Sequence, residues 1–403
     1  MKTVRVLCIH FTGAFGGASR SLFESLSEMP PDQVSPVFLT QRGTVADFFT
    51  KLGPVVTARG LTQFDNTRYS YYRGARWIVL LREIAYLPCT LLALRKAKRQ
   101  LGEVDLIHIN EFTGLPTLWL AKKYFDAPAL VHVRSVARDK PRSLRTRFVG
   151  YMFRILATRI VAIDENVRSS LPKTLPVSII HNSFRIKSQA ETQEISRALT
   201  RLSEDSFKVG FVGNLLKVKG IEEFLLAANM LLEKGLNIEF VIVGDDARPS
   251  KGLKAAVIRA LGLQQNAKAD VEHFLDEYNL RSRFHLLGFT SNIGQIYGAI
   301  DVLCFPSHYD APGRPIFEAA FYAVPSIVAV RNPKDDTLVH GKTGLAISPK
   351  SAEELAEAIE YLINNPEHHK AMGLAAQALA HKNFDVTYNS NQLLNLYQNL
   401  VNN

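Results

Sequence analysis

"DVLCFPSHYDAPGRPIFEAA", residues 301–320, runs from a short apolar stretch through a Pro- and Gly-rich turn into a segment with helical character. The order strand, tight turn, helix is the repeating unit of a doubly wound α/β fold. Pro315 suits the first turn of a helix, where its missing N–H is not needed, and Gly313 lets the backbone come close to a ligand. The amides from Gly313 to Ile316, with Arg314 and Pro315 between them, would then face a phosphate or a polar sugar. Two carboxylates flank the turn, Asp310 before it and Glu318 inside the helix. They could accept hydrogen bonds from vicinal hydroxyls, or serve only as a turn cap and as the partner of a lysine.

The same unit recurs along the chain. Expected strands are 4–10, 34–40, 105–110, 128–134, 159–164 and 177–182, then 207–213, 237–244, 283–289, 301–306 and 326–330. Nearly continuous apolar strands separated by helix-length segments predict parallel sheets covered on both faces. Two such series predict two doubly wound, Rossmann-like domains, residues 1–185 and 207–384. The polar stretch 186–206 is expected as the connection, and 385–403 as a last helix returning to the first domain. A chain of 403 residues is long enough for both.

Hydrophobic content of 47% and charged content of 21% are those of a folded protein. Cys8, Cys89 and Cys304 lack paired spacing, so neither a disulfide frame nor a zinc site is expected, and reduced cysteines suit a cytoplasmic setting. The apolar run at the N-terminus is soon broken by glycines and reads as a strand rather than a signal peptide. The net charge of +10 is uneven: residues 1–185 hold 27 Lys and Arg against 13 Asp and Glu, while the remainder is mildly acidic. Such asymmetry points to an anionic partner of the first half, a membrane surface or a nucleic acid, or to a merely basic surface.

Ligands of open α/β sheets sit at the carboxyl ends of strands. "HFTGAFGGASRSLFESL" (10–26) places Gly13, Gly16 and Gly17 after the first strand; it is not GxGxxG, so a dinucleotide fingerprint is absent. "VGFVGNLLKVKGIEEFLLAA" (209–228) places Gly213 and Asn214 after a strand, then Lys217, Lys219 and Gly220 ahead of a helix. That arrangement suits a phosphate, or equally a solvated turn with surface lysines.

Taken together these segments resemble glycosyltransferase family 4, retaining nucleotide-sugar enzymes of the two-domain GT-B fold. The family pattern P-S-x-x-E-x-F-G-x-x-x-L-E-A is met by Pro306, Ser307, Gly313, Glu318 and Ala319, with Asp310 in place of the first Glu and Pro312 in place of the Phe. "GNLLKVKG" (213–220) matches with Asn214 for a frequent Arg, and "VGDD" (243–246), "LLGF" (286–289) and "HGKTGL" (340–345) follow in order. In the first half "FGGASRSL" and "IIHNSF" are the recognisable pieces. The resemblance implies Lys219 and Asn214 at the donor diphosphate, Glu318 at the ribose, and Asp310 at the donor sugar. It places Gly313 and Arg314 at the sugar or distal phosphate, Gly16 and Gly17 at the same group across a cleft, and Gly213, Gly244, Gly288 and Phe289 in the nucleotide pocket. A His common in relatives falls at Arg134, with His132 two residues earlier on the same strand face, and either could line the site. The resemblance implies no metal and no cofactor besides the nucleotide-sugar substrate, with a UDP-linked hexose as the expected donor.

Residues 67–99 and 134–154 interleave Arg and Lys with aromatic and aliphatic residues. Arg82, Glu83 and Pro88 break the first run, which excludes a spanning helix but suits an interfacial one. A glycan or lipid-linked acceptor at the cytoplasmic membrane face, in cell-surface polysaccharide synthesis, is the expected setting. Nucleic acid is disfavoured because no recognised module is present. An inactive GT-B binding module and a nucleotide-sugar epimerase stand as alternatives.

Overall fold

The computed structural model describes residues 3–66, 76–137, 143–184, 193–245, 267–290 and 292–402. It divides into two compact units, residues 1–185 with 383–403, and residues 186–382.

Unit 1 is built on a seven-stranded sheet of order β3-β2-β1-β4-β5-β6-β7. Its strands are β1 Val4–His10, β2 Val34–Gln41, β3 Val55–Ala58, β4 Leu106–Ile109, β5 Ala129–Val133, β6 Arg159–Ala162 and β7 Val177–Ile179. Unit 2 holds a six-stranded sheet of order β10-β9-β8-β11-β12-β13. Its strands are β8 Phe207–Val212, β9 Ile238–Val243, β10 Phe284–Leu286, β11 Val302–Phe305, β12 Ser326–Ala329 and β13 Gly344–Ile347. The ladders pair in parallel throughout. Every expected strand is present, most of them shorter than expected, while β2 runs one residue further, to Gln41. β3 ("VVTA") and β13 ("GLAI") were not expected, because four residues of mixed character carry too little periodicity to stand out.

Both sheets are covered on two sides, and strand alternation assigns each residue its layer. In unit 1, Leu7 and Ile9 of β1, Ile107 and Ile109 of β4, and Val131 and Val133 of β5 face one core. Three helices close it: Arg76–Leu101, Leu115–Ala121 and Leu144–Leu156. Val6, Cys8, Leu106 and Leu130 face the other core with the helix Gly17–Glu28 and the last helix, Val386–Asn402. That last helix presents Leu393, Leu394, Tyr397 and Leu400, a stripe at helical spacing.

The stretch expected as a connection contains the helix Gln193–Leu199. It buries Ile195, and its Ser196 accepts a hydrogen bond from Gln295 Nε2 at 3.3 Å, so it is built into unit 2. Of the basic aromatic segments, residues 67–75 and 138–142 lie outside the described residues. Pro88 sits inside the helix Arg76–Leu101, and among the described residues no helix is long and apolar enough to cross a membrane. Cys8 and Cys304 are buried and Cys89 half-buried, all three as free thiols.

The fully buried Tyr397 hydroxyl lies 2.5 Å from His108 Nδ1 on β4. Tyr397→Phe leaves that ring nitrogen unpaired among apolar groups, which costs about 1–3 kcal/mol. The expected outcome is a lower denaturation midpoint with an unchanged denaturant slope, read from urea unfolding curves.

Candidate functional site

In unit 2 the carboxyl ends of β8, β9 and β10 are locked by glycines. Gly213 has φ +155 and its N–H donates to Val243 O at 2.9 Å. Gly244 has φ +143, and a Cβ there would lie 1.9 Å from Gly213 O, so no larger residue fits. The Gly244 N–H donates in turn to Gly288 O at 2.9 Å. The structure therefore brings Gly213, Gly244 and Gly288 together, with Asn214 and Phe289 exposed beside them.

A second lock seats Lys219. The 3₁₀ turn Lys217–Lys219 ends at Gly220, whose φ of +80 and closeness to Pro306 O (2.0 Å from an added Cβ) demand glycine. Val218 O accepts the His308 N–H at 3.0 Å, which ties the turn to the end of β11. Held in this way, Lys219 Nζ lies 5.3 Å from the centre of the Phe305 ring and 5.2 Å from that of Tyr309. No carboxylate pairs with it among the described residues, whereas Lys217 forms a 2.6 Å ion pair with Glu222. Burial lowers the pKa of Lys219 from the ordinary lysine value. A half-buried ammonium on two aromatic faces, without a carboxylate among the described residues, could pair with an anion.

The turn of residues 306–320 follows. Gly313 packs against the Phe305 ring, and a Cβ there would stand 2.3 Å from it, so a larger residue needs the ring to move. Arg314–Ala320 is helical, with Pro315 in its first turn. Ile316 departs from the expectation: its N–H donates to Gly313 O at 3.1 Å and its side chain is buried. With Pro315 lacking an N–H, the amides of Gly313 and Arg314 remain the candidates for a ligand. The Arg314 side chain turns onto its own helix, where Nε donates to Glu318 Oε1 at 2.7 Å. Glu318 Oε2 accepts from the Tyr297 hydroxyl at 3.0 Å, so an arginine and a tyrosine both orient the carboxylate. A carboxylate has about four acceptor positions, so in principle it can accept from a diol as well as from protein donors. Asp310 has φ +54, and its carboxylate accepts from the Arg331 backbone N–H (2.8 Å) and from Arg331 Nη1 (2.9 Å). Arg331 had no signal in the sequence, because it follows β12 and reaches Asp310 only through the parallel pairing of β11 with β12.

Unit 1 assembles a separate polar cluster at the ends of β1, β4 and β5. Arg134 Nε donates to Asn110 Oδ1, Nη1 to Asn182 Oδ1 at 2.6 Å, and Nη2 to His132 Nδ1 at 3.3 Å. Asn110 Nδ2 donates to His10 Nδ1 at 3.0 Å, which leaves the proton of a neutral His10 on Nε2, 2.8 Å from Thr12 Oγ1. His132 stacks on His108 with ring centres 5.5 Å apart, and its buried Nε2 has no hydrogen-bond partner among the described residues. Burial, then the positive charge of Arg134, lowers His10 and His108 to about 3 and His132 well below the ordinary value, so all three are neutral near pH 7. Arg134 and His132 are thus brought together, while Asn110, Asn182 and His10 join them without having been expected. Glu111, also unexpected, is pushed up to about 7 by burial against hydrogen bonds from Phe112, Ser135 and Arg134. Gly16 precedes the helix Gly17–Glu28, and a Cβ at Gly16 or Gly17 would meet nothing within 4 Å, so the space beside this loop is open. Among the described residues no three His, Cys, Asp or Glu side chains group as a metal site.

Residues 192–379 match the model of the glycosyl transferases group 1. The capsular polysaccharide biosynthesis glycosyltransferase CapM of Staphylococcus aureus is 25% identical over 232 residues, 54% of this chain and 55% of the relative. The alpha-D-kanosaminyltransferase of Streptomyces kanamyceticus is 26% identical over 192 residues, 47% of this chain and 45% of the relative. The chain therefore spans about half the length of these two relatives. Anabaena HepE in complex with UDP superposes with a TM-score of 0.74 at 20% identity, over 98% of this chain and 100% of that one. The fold is accordingly GT-B, two doubly wound Rossmann-like domains.

Two outcomes follow from the Lys219 seat. A diphosphate anion held by Lys219 is expected to bind more weakly as pH rises through the lowered Lys219 pKa, which lies below the ordinary lysine value of about 10.4; a titration followed by calorimetry reads the shift, and a pH-independent affinity would remove Lys219 as its partner. Gly220→Ala forces a Cβ against Pro306 at positive φ, with an expected loss of roughly 1–3 kcal/mol of stability, read as a lower denaturation midpoint.

Proposed function

We propose that the protein is a retaining, metal-independent glycosyltransferase of family 4 type. It would move a hexose from a UDP-sugar to a glycan or lipid-linked acceptor on the cytoplasmic face of a membrane, in surface-polysaccharide synthesis. The observation that carries the reading is Lys219, an ammonium without a carboxylate partner among the described residues, fixed over Phe305 and Tyr309 by the Gly220 turn. Departure of a nucleoside diphosphate builds negative charge on the leaving phosphate, and a preorganised cation placed there lowers the barrier. Lys219 is assigned that task, with the Gly313 and Arg314 amides beside it. Glu318, oriented by Arg314 and Tyr297, is assigned to the ribose hydroxyls. The interlocked Gly213, Gly244 and Gly288 loops would hold the base, with Asn214 and Phe289 at the rim. The family match of residues 192–379 and the UDP complex of a relative with the same fold support this assignment.

Asp310 is assigned to the donor sugar, and its partner Arg331 sets the limits of that role. An acid already engaged by an arginine favours a second reading, a module that binds the donor without transferring it. Donor binding and transfer, measured separately, distinguish the two.

The first experiment is a thermal-shift panel of UDP-, GDP- and ADP-sugars on the purified protein. A selective rise in Tm with a UDP-sugar, lost in Lys219→Ala and Glu318→Ala, is expected. Each variant should also lower transfer by roughly 10²–10³-fold while remaining folded. Binding with no hydrolysis or transfer to any acceptor would establish the second reading, and wild-type rates in both folded variants would overturn the site.

A further inference from the structure

The outer helices of unit 1 carry a surface that a folded core does not require. The helices Arg76–Leu101, Leu115–Ala121 and Leu144–Leu156 pack one face of the sheet through residues such as Leu94, Leu118 and Phe153. Their other side is apolar as well. Leu80, Leu81, Ile84, Leu91 and Leu92 of the first, Trp119 of the second, and Leu144, Phe148, Tyr151 and Ile155 of the third are exposed, several by more than half. On the third helix these four recur at positions i, i+4, i+7 and i+11, a single stripe directed away from the core. Scattered exposed apolar side chains need no explanation, but a concentration on one helical layer does.

The charges of the same layer have one sign. The three helices contain nine Arg and Lys residues and one acid, Glu83. Glu83 is buried and taken up by Arg82 at 2.6 Å. Lys123, just beyond the second helix, lies 4.3 Å over the exposed Trp119 ring. Arg147 and Arg154 border a depression of about 540 Å³ between the third helix and Pro172, with Phe148 and Tyr151 on its wall. Arg154 donates to Thr174 Oγ1 at 2.6 Å, and neither arginine has a carboxylate partner among the described residues.

We propose that this helix layer docks on an anionic lipid bilayer, with the Arg147–Arg154 depression receiving a headgroup phosphate. Exposed aromatic and aliphatic side chains enter the headgroup region while arginines neutralise lipid phosphates, which is the physics of an interfacial helix. The complementarity is to a surface that is both anionic and apolar beneath. A nucleic acid offers the charge but no use for Leu80, Leu92 and Ile155. The inference deepens the reading of a lipid-linked acceptor and rests on it for its purpose, though its measurement is independent of any donor.

The experiment is flotation of the full chain with vesicles of phosphatidylcholine alone or mixed with phosphatidylglycerol, at about 0.1 M salt. Capture by the mixed vesicles alone, weakening as salt rises, is expected. R147E/R154E and F148S/Y151S should each reduce capture roughly tenfold or more while keeping the Tm and any UDP-induced shift of the wild type. All four positions are at the surface, and Tm reports their folding. Absence of wild-type capture, or capture of both folded variants equal to wild type, overturns the proposal. So does RNA binding that displaces the vesicles and is lost in the same variants. A UDP shift without vesicle capture sinks the docking surface alone, and capture without any donor shift sinks the donor reading alone.

Discussion

The contact between Gly220 and Pro306 sets where Lys219 stands in unit 2. Two backbone segments approach so closely that no Cβ fits between them, and the Val218 carbonyl is taken by the His308 amide. This closeness converts a flexible lysine into a placed charge: Lys219 has the Phe305 and Tyr309 rings beneath it rather than solvent around it. A lysine is a strongly hydrated point charge on a long stem, and here it loses part of its water with no carboxylate beside it among the described residues. Gly213 and Gly244 repeat the principle one strand over, where backbone again meets backbone.

Unit 1 uses burial for a different end. Alternation along β4 and β5 sends His108 and His132 to the side covered by the last helix, where Tyr397 reaches His108. Three imidazoles kept neutral by burial surround one guanidinium that cannot lose its charge. The positive charge is thus concentrated on Arg134 at the carboxyl ends of the strands. Asn110, Asn182 and His132 take three of its five donors in fixed directions, so its place is set by these neighbours rather than by a mobile side chain.

Much of this was legible beforehand, because the signals are local. All strands but β3 and β13 follow from apolar runs, and the glycine positions from strand-to-helix turns. Lys219 and Glu318 stand out by their spacing from those turns. What was not legible depends on neighbours distant in sequence. Arg331 reaches Asp310 because β11 pairs with β12, and Asn110 meets His10 because β1 pairs with β4. Ile316 was misread as a free amide, since only the closed first turn shows its N–H returning to Gly313. Glu111 looks ordinary in sequence, and its raised pKa arises from burial.

By itself the sequence determined the class of fold, the order of its units, the basic character of the first half and the turns where a ligand would lie. These are properties of residues within one strand–turn–helix, where periodicity and backbone freedom act over a few positions. The tertiary structure alone decided which charges are satisfied and which are not. Lys217 and Lys219 lie two residues apart, yet one pairs with Glu222 while the other faces two aromatic rings. The physical reason is that solvation and partnership depend on what packs from other strands. Parallel pairing brings that surrounding to each strand end from segments far along the chain.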